Sequence, residues 1–519
     1  MTTLLKQPDG SSMSSLDREK NENNSVLGVG SRLASGPARE LVQTAFAREL
    51  ADQLALFRGM SLADIAHTVM LIEAGIIPSA DGSALLDALL TLHKYPSDFN
   101  PTPELGDLYT NREAWLASRT AAVGWLGAGR ARRESTTTGY RITVRSYVLA
   151  FTSALMKAGA ALVERAGEYR SAFMADYTYL QPAQPTTFGH YLLGFAYPQL
   201  RDLERLQSLY NRTNQSPAGC GSVNGSRLPQ NRERLAELLG FDGLAQHARD
   251  AMWQPDSPIE TLSVVVSALV NLDRLAEDLQ IFATAEFDLV ELSDGYARAS
   301  VIMPQKKNPY SLAYVRGATN ELIGMQTSAA TLGRTPSGQV DNRIFMYGDV
   351  PRALEMATGV ATLMDGVLKG MSFHPSIAAE RLSNGFTTAT DLAETITLET
   401  GLDFRTAHRI VGRLVREASQ TNRTMRELST ADLDAAAQAI LNRPFYLSET
   451  AFAHATDPAT AIAARQGIGG AAPEPLSKML SECQYTLDAC TSWYNTTFAK
   501  ITAAEDDLIQ TAQQLCGGA

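Results

Sequence analysis

Cysteine is scarce in this chain: Cys220, Cys483, Cys490 and Cys516 are the only four in 519 residues. So few and so scattered, they exclude a disulfide framework, and their spacing matches no metal-ligand pattern. Aromatic residues make up 7% and charged residues 19%, against 45% hydrophobic, which describes a globular chain and not a disordered one. Positive charge is in deficit too. The formal net charge of -11 argues against broad binding to nucleic acid or an anionic membrane, so any cationic site must be focused. No apolar run reads as a membrane span and no signal-peptide core opens the chain, so the expected location is cytoplasmic. No glycine-rich loop suggests a nucleotide, and no residue cluster calls for a metal or another cofactor.

What is present is a chain long enough for two or three domains, dominated by helical patterning. Residues 1–37 are rich in Ser, Asn, Gly and charge and read as a flexible tail. Residues 38–128 read as an N-terminal helical domain, 129–382 as a central domain of long helices, and 383–519 as a C-terminal helical domain with an extension. The clearest helix is expected from about Glu260 to Phe287. Its apolar residues Leu262, Val266, Leu269, Leu272, Leu275, Leu279 and Phe282 recur every three or four positions and make one stripe. Two more long helices are expected over Thr138–Arg170 and Thr186–Tyr210. Stripes of this length need several neighbours, which a bundle supplies, within or across subunits. Pro96, Pro101 and Pro103 make the stretch between Tyr95 and Pro103 a turn-rich break.

The densest chemistry lies at Ala299–Asn308, A-S-V-I-M-P-Q-K-K-N, followed by Pro309 and preceded by Glu291-Leu292-Ser293-Asp294. A loop of this kind sets one hydroxyl beside concentrated positive charge, as needed to remove a proton from carbon next to a carboxylate. The plainer alternative is a solvated basic loop.

This segment resembles the signature loop of the fumarase/aspartase superfamily, Gly-Ser-x-x-Met-Pro-x-Lys-x-Asn, and its M-P-Q-K-K-N-P form is similar to the argininosuccinate lyase branch. Other segments resemble the same branch. They are Thr178-Tyr179-Leu180-Gln181 with Ala183-Gln184-Pro185-Thr186-Thr187, Ala389-Thr390-Asp391-Leu392-Ala393, and Gly469-Gly470-Ala471-Ala472-Pro473. The resemblance runs from about Asp64 to Pro473. It implies an all-α, three-domain fold whose long central helices form a tetrameric bundle with shared active sites. It also implies a cofactor-free β-elimination that releases fumarate and an amine from an N-substituted aspartate, with argininosuccinate or a related compound as substrate. The hard step leaves two negative charges on one carboxyl group, so it needs fixed cations and donors in a closed site.

Residue by residue, the resemblance makes Ser300 the catalytic base, and Lys306 and Asn308 the groups that bind carboxylate or polarise the intermediate. Arg132, in Gly129-Arg130-Ala131-Arg132-Arg133-Glu134, matches the arginine that grips a substrate carboxylate. Its neighbour Arg133 stands where the family has asparagine, and Glu134 where it has aspartate. The plainer reading of Arg132 is a solvated helix start. Thr178 and Gln181 match residues around the leaving group. Tyr179 replaces the family's histidine, and Ala313 replaces the glutamate that pairs with that histidine. With a reference pKa near ~10, Tyr179 could protonate or orient the leaving nitrogen; otherwise it packs in an altered pocket. Tyr109 replaces a second family histidine, and Gly338-Gln339-Val340-Asp341-Asn342 replaces a segment that holds the amine end of the substrate. Loss of the His/Glu pair also admits a rival reading, a non-catalytic scaffold or binding homologue.

Overall fold

The computed structural model describes residues 26–338, 341–443 and 445–517; the first 25 residues of the expected tail lie outside them, as do Gln339 and Val340. The described residues are mostly helical. In order come α1 (Phe57–Glu73), α2 (Ser79–Lys94), α3 (Leu108–Ala117) and α4 (Arg132–Glu168). A hairpin of β1 (Phe173–Thr178) and β2 (Gln181–Thr187) leads into α5 (Phe188–Thr213). The short α6 (Ala248–Trp253) precedes α7 (Asp256–Phe282). A two-residue pair, β3 (Arg298–Ala299) and β4 (Lys307–Asn308), then introduces α8 (Tyr310–Leu332) and α9 (Asp341–Gly370). Beyond them lie α10 (Ala389–Thr400), α11 (Phe404–Gln420), α12 (Thr430–Leu441) and the 45-residue α13 (Pro473–Gly517).

The long helices α4, α5, α7, α8 and α9 pack together as a bundle, with α4 lying against both α5 and α9. At ~1.5 Å per residue, the 37 residues of α4 span roughly 55 Å. The stripe expected on α7 is there: Leu262, Leu269, Leu272, Leu275, Leu279 and Phe282 are buried, while Val266 is half-buried beside buried Val265. The helix stops at Phe282, five residues short of the expected end. There the chain turns back, the Leu289 amide donates to the Phe282 carbonyl at 2.9 Å, and Phe287 packs near the Phe282 and Tyr177 rings. Conversely, α4 begins six residues before the expected Thr138. Arg132 to Thr137 carry no apolar period, so hydrophobic spacing could not reveal that this first turn is helical. The expected Thr186 start of α5 moves to Phe188, because the Thr187 hydroxyl caps the helix by accepting from the His190 amide at 3.1 Å.

One hydrophobic core runs from Leu50 through the bundle and takes in Leu476, Cys483, Leu487, Cys490, Ile501 and Leu508 of α13. The terminal helix, grouped by sequence with residues 383–519, therefore packs on α1, α2, α4 and α5, because its apolar stripe finds the bundle's outer face. A second, smaller core is built by α10, α11 and α12 with Phe452.

By length and composition alone, the helical stretches Arg39–Glu73 and Arg132–Glu168 are apolar enough to cross a membrane. Their most apolar windows are 78% and 67% buried inside the protein, which makes them core helices whose apolar faces are already covered.

Candidate functional site

Ser300 begins the turn between β3 and β4. Its amide donates to the Lys306 carbonyl at 3.3 Å, its hydroxyl accepts from the Met303 amide at 3.1 Å, and the Lys306 amide closes on the Met303 carbonyl at 3.0 Å. The rest of the loop stands in solvent, with Val301 and Ile302 almost fully exposed. Asn308 braces the hairpin with one of its two amide hydrogens, its Nδ2 donating to the Arg298 carbonyl at 2.9 Å.

The two lysines are not equivalent. Lys307 Nζ lies 2.8 Å from both Glu291 Oε1 and Asp294 Oδ1, the two acids that sequence placed just ahead of the loop. Lys306 forms no ion pair among the described residues.

Thr178 and Gln181 face each other as the last pair of the β1–β2 hairpin. Tyr179 and Leu180 form the two-residue turn between them, with φ of 54° and 57°. Two successive positive φ values make a turn normally filled by Asn-Gly, and for bulky residues that backbone costs on the order of 1 kcal/mol each. Tyr179 is fully exposed, so its own chain gives it no packing partner. Of the two roles left open for Tyr179, packing within its own subunit is excluded. Ala313, where the paired glutamate was sought, is exposed on α8.

Arg132 opens α4. Its Nε lies 3.3 Å from Asp107 Oδ2 and its Nη1 donates to Thr110 Oγ1 at 3.3 Å, while half of the side chain remains exposed. Arg133 is half-buried, and its charge, with that of Arg132, lowers the carboxyl of nearby Glu49, which burial raises more. Among the described residues, no hydrogen bond or ion pair joins the Ser300 loop, the Tyr179 hairpin and Arg132.

Two supports of Arg132 went unread in the sequence. Asp64 of α1, bound to two chain neighbours of Arg132, is wholly buried and receives Arg112 Nη2 at 2.8 Å, Arg130 Nη2 at 2.6 Å and Ser135 Oγ at 2.7 Å. Burial alone would raise the Asp64 carboxyl; the Arg130 and Arg112 guanidiniums outweigh it and hold it below its usual value. Tyr109, at the second histidine position, is buried beside Arg130, and burial raises its phenol. The other support is Glu134, whose carboxylate accepts the Gly219 amide at 2.7 Å and the Gly221 amide, both glycines having positive φ. The Ala131 amide donates to the Gly221 carbonyl at 2.9 Å, so the 219–221 turn clasps the first turn of α4 from both sides. Burial raises the Glu134 carboxyl to about 7 against the opposing pull of Arg130. An Asp64-x-x-His67 pair on a helix gave no signal of its own, because its partners lie 48 to 71 residues away.

His190 bridges Thr186 Oγ1 and the Gly469 carbonyl, both at 3.0 Å. Among the described residues, no group of three or more His, Cys, Asp or Glu side chains is placed to hold a metal ion.

A long-helix bundle bearing a Met-Pro-x-Lys loop defines a lyase scaffold, and comparison with known proteins agrees. Residues 107–324 match the family model described as Lyase, and residues 386–463 the model described as Argininosuccinate lyase C-terminal. The argininosuccinate lyase of Methanosarcina mazei is 34% identical over 83% of this chain and 88% of its own length. That of Methanothrix thermoacetophila is 35% identical over the same shares. Among solved structures, an EDDS lyase variant with bound fumarate superposes with a TM-score of 0.85 at 27% identity, over 93% of this chain and 97% of its own. The chain belongs to the argininosuccinate lyase branch of the fumarase/aspartase superfamily. It is a carbon–nitrogen lyase that produces fumarate, and nothing in these likenesses favours a non-catalytic scaffold.

Proposed function

We propose that the protein splits an N-substituted aspartate into fumarate and an amine in pockets assembled between subunits of a homotetramer. The observation that carries this reading is the charge asymmetry of the Ser300 loop: Lys307 is neutralised by Glu291 and Asp294, whereas Lys306 is left for substrate. In this scheme Ser300, as its oxyanion, takes the proton from the carbon beside the carboxylate. Lys306 and Asn308 stabilise the resulting dianion, and the carbon–nitrogen bond then breaks. The departing nitrogen needs a proton, which the Tyr179 hydroxyl can supply or steer. Arg132, with Arg133 behind it, grips a carboxylate through its planar fork, while Thr178 and Gln181 line the leaving-group side.

Separate bracing of the three segments supports sharing between subunits, as does the surface of α8, where exposed Tyr310, Ala313, Tyr314, Gly317 and Ile323 offer a flat, mostly uncharged stripe. Argininosuccinate is the substrate that the relatives' names supply, and the amine end is the part that this chain has altered. We place the domain boundaries near residues 128 and 382 and the protein in the cytoplasm. The test is fumarate release, followed by ultraviolet absorbance, from argininosuccinate and, in reverse, its consumption with a panel of amines. Lack of turnover in every arm would remove the proposal.

A further inference from the structure

The chain reaches Ser300 by running along the C-terminal end of α9. Val290 and Glu291 pair antiparallel with Phe373 and Ser372, just past that helix, and Leu292 is buried in the main core. One turn of 3-10 helix, Asp294–Tyr296, follows. It is closed by the Tyr296 amide on the Ser293 carbonyl at 3.0 Å and the Ala297 amide on the Asp294 carbonyl at 3.2 Å. β3 begins two residues later at Arg298, and Ser300 stands four residues beyond Tyr296.

The half-buried Tyr296 ring lies on α9 over two glycines one turn apart, Gly366 and Gly370. A Cβ at Gly366 would stand 2.1 Å from Tyr296 Oη and 2.5 Å from its Cζ. One at Gly370 would stand 2.6 Å from Ser293 Oγ and 3.2 Å from Tyr296 Cε2. Ordinary contact begins at 3.4 Å, so either methyl would push the turn off the helix. Glycine weakens a helix relative to alanine, so this notch runs against the propensity of α9 and is explained by what sits in it. The same turn holds the far strand of the hairpin, because Asp294 and Glu291 carry the ion pairs to Lys307 of β4. Both strands that flank the Ser300 loop are thus fastened to one short segment, β3 through the chain and β4 through Lys307.

We propose that Tyr296, seated in the Gly366–Gly370 notch, is a positioning residue for the Ser300 loop. It fixes the base of the β3–β4 hairpin against the bundle, while Val301 and Ile302 at the tip stand in solvent. The inference rests on the reading of Ser300 as the base. Tyr296 acts through the placement of Ser300 and Lys306, and a misplacement of about 1 Å in a reacting group can cost about 10²-fold in rate.

The experiment measures kcat for fumarate release from argininosuccinate, with the amine panel in reverse, and hydrogen exchange across residues 298–308. It compares the full-length parent with Gly366→Ala, Tyr296→Ala, the double variant and Tyr296→Phe. Gly366→Ala is expected to lower kcat by about tenfold or more and to speed exchange in the segment, with the unfolding midpoint unchanged because alanine favours the helix. Tyr296→Ala should do the same. The double variant should be no worse than Tyr296→Ala, since no ring remains to be displaced, and Tyr296→Phe, which keeps the ring, should stay close to the parent. Parent-like kcat and exchange in Gly366→Ala would overturn the proposal, as would losses that multiply in the double variant. A midpoint that falls in step with kcat across the variants would make the contact merely structural and overturn it equally. The two levels of failure are distinct. Turnover absent in the parent, or surviving in Ser300→Ala, removes the Ser300 reading and this inference with it. An inactive Ser300→Ala beside a parent-like Gly366→Ala removes this inference alone.

Discussion

Replacing Asp64 by Asn removes one negative charge while keeping the side chain's shape, and two buried guanidiniums lose their counter-ion at once. Arg112 is fully buried and the Arg130 side chain is 2% exposed, so water cannot replace the lost charge. Breaking a buried pair from one side costs roughly 3–5 kcal/mol. The amide oxygen still accepts one bond, so the lower end, about 3 kcal/mol, is expected. With an unfolding entropy of about 2.1 cal/mol/K per residue, a 519-residue chain changes by roughly 1.1 kcal/mol per degree, and the unfolding midpoint should fall by about 3 °C. The pH dependence carries a sign. Asp64 has a carboxyl lowered on folding, so its contribution is present above the unfolded value of 3.8 and is lost as pH falls through the folded value. The gap between Asp64→Asn and the parent should therefore close in acid. Turnover should drop too, since Arg130 and Ser135 flank Arg132. Differential scanning calorimetry across acid to neutral pH is the assay. A midpoint shift below about 1 °C at neutral pH would refute the reasoning that these arginines depend on Asp64.

For Glu134, the carboxyl is raised on folding to about 7, so the folded state binds its proton more tightly than the unfolded state does. Its contribution to stability falls as pH rises from about 4.5 to about 7, and Glu134→Gln should flatten that part of the midpoint-against-pH curve. Tyr179→Asn relaxes a left-handed backbone and should stabilise the hairpin by about 0.5–1 kcal/mol, with turnover lost. Tyr179→Phe should leave stability unchanged and still lose turnover; full activity in that variant removes the hydroxyl from the mechanism. Lys306→Met should lower kcat by about 10²-fold or more. Lys307→Met should cost far less, because Glu291 and Asp294 already balance that lysine; equal losses would contradict the division of labour between them.

Periodicity made the long helices legible: the α7 stripe was readable because a buried helix face repeats every three or four residues. The first turn of α4 was not, since a stretch of Arg, Glu, Ser and Thr buries its polar groups through partners that are distant in sequence. The site divides along the same line. Ser300, Lys306 and Asn308 lie within one short segment and were found by motif, but the ion pairs of Lys307 with Glu291 and Asp294 are visible only in the structure. Asp64 and the 219–221 turn act on Arg132 from 68 and 87 residues away, and no local pattern marks them. The bent-back end of α7 depends on aromatic packing between Phe282, Phe287 and Tyr177, which sequence spacing does not encode.

The central claim is that Ser300 removes the proton in a fumarate-forming elimination. It is tested most directly by fumarate release from argininosuccinate by the parent and by Ser300→Ala, with the panel of amines in reverse beside it. Ser300 lies in an exposed loop where its hydroxyl accepts one amide, so Ser300→Ala should keep the parent's unfolding midpoint. The account predicts fumarate turnover in the parent, with argininosuccinate or with another amine partner, and its near-complete loss in Ser300→Ala. Undiminished turnover in Ser300→Ala would contradict it.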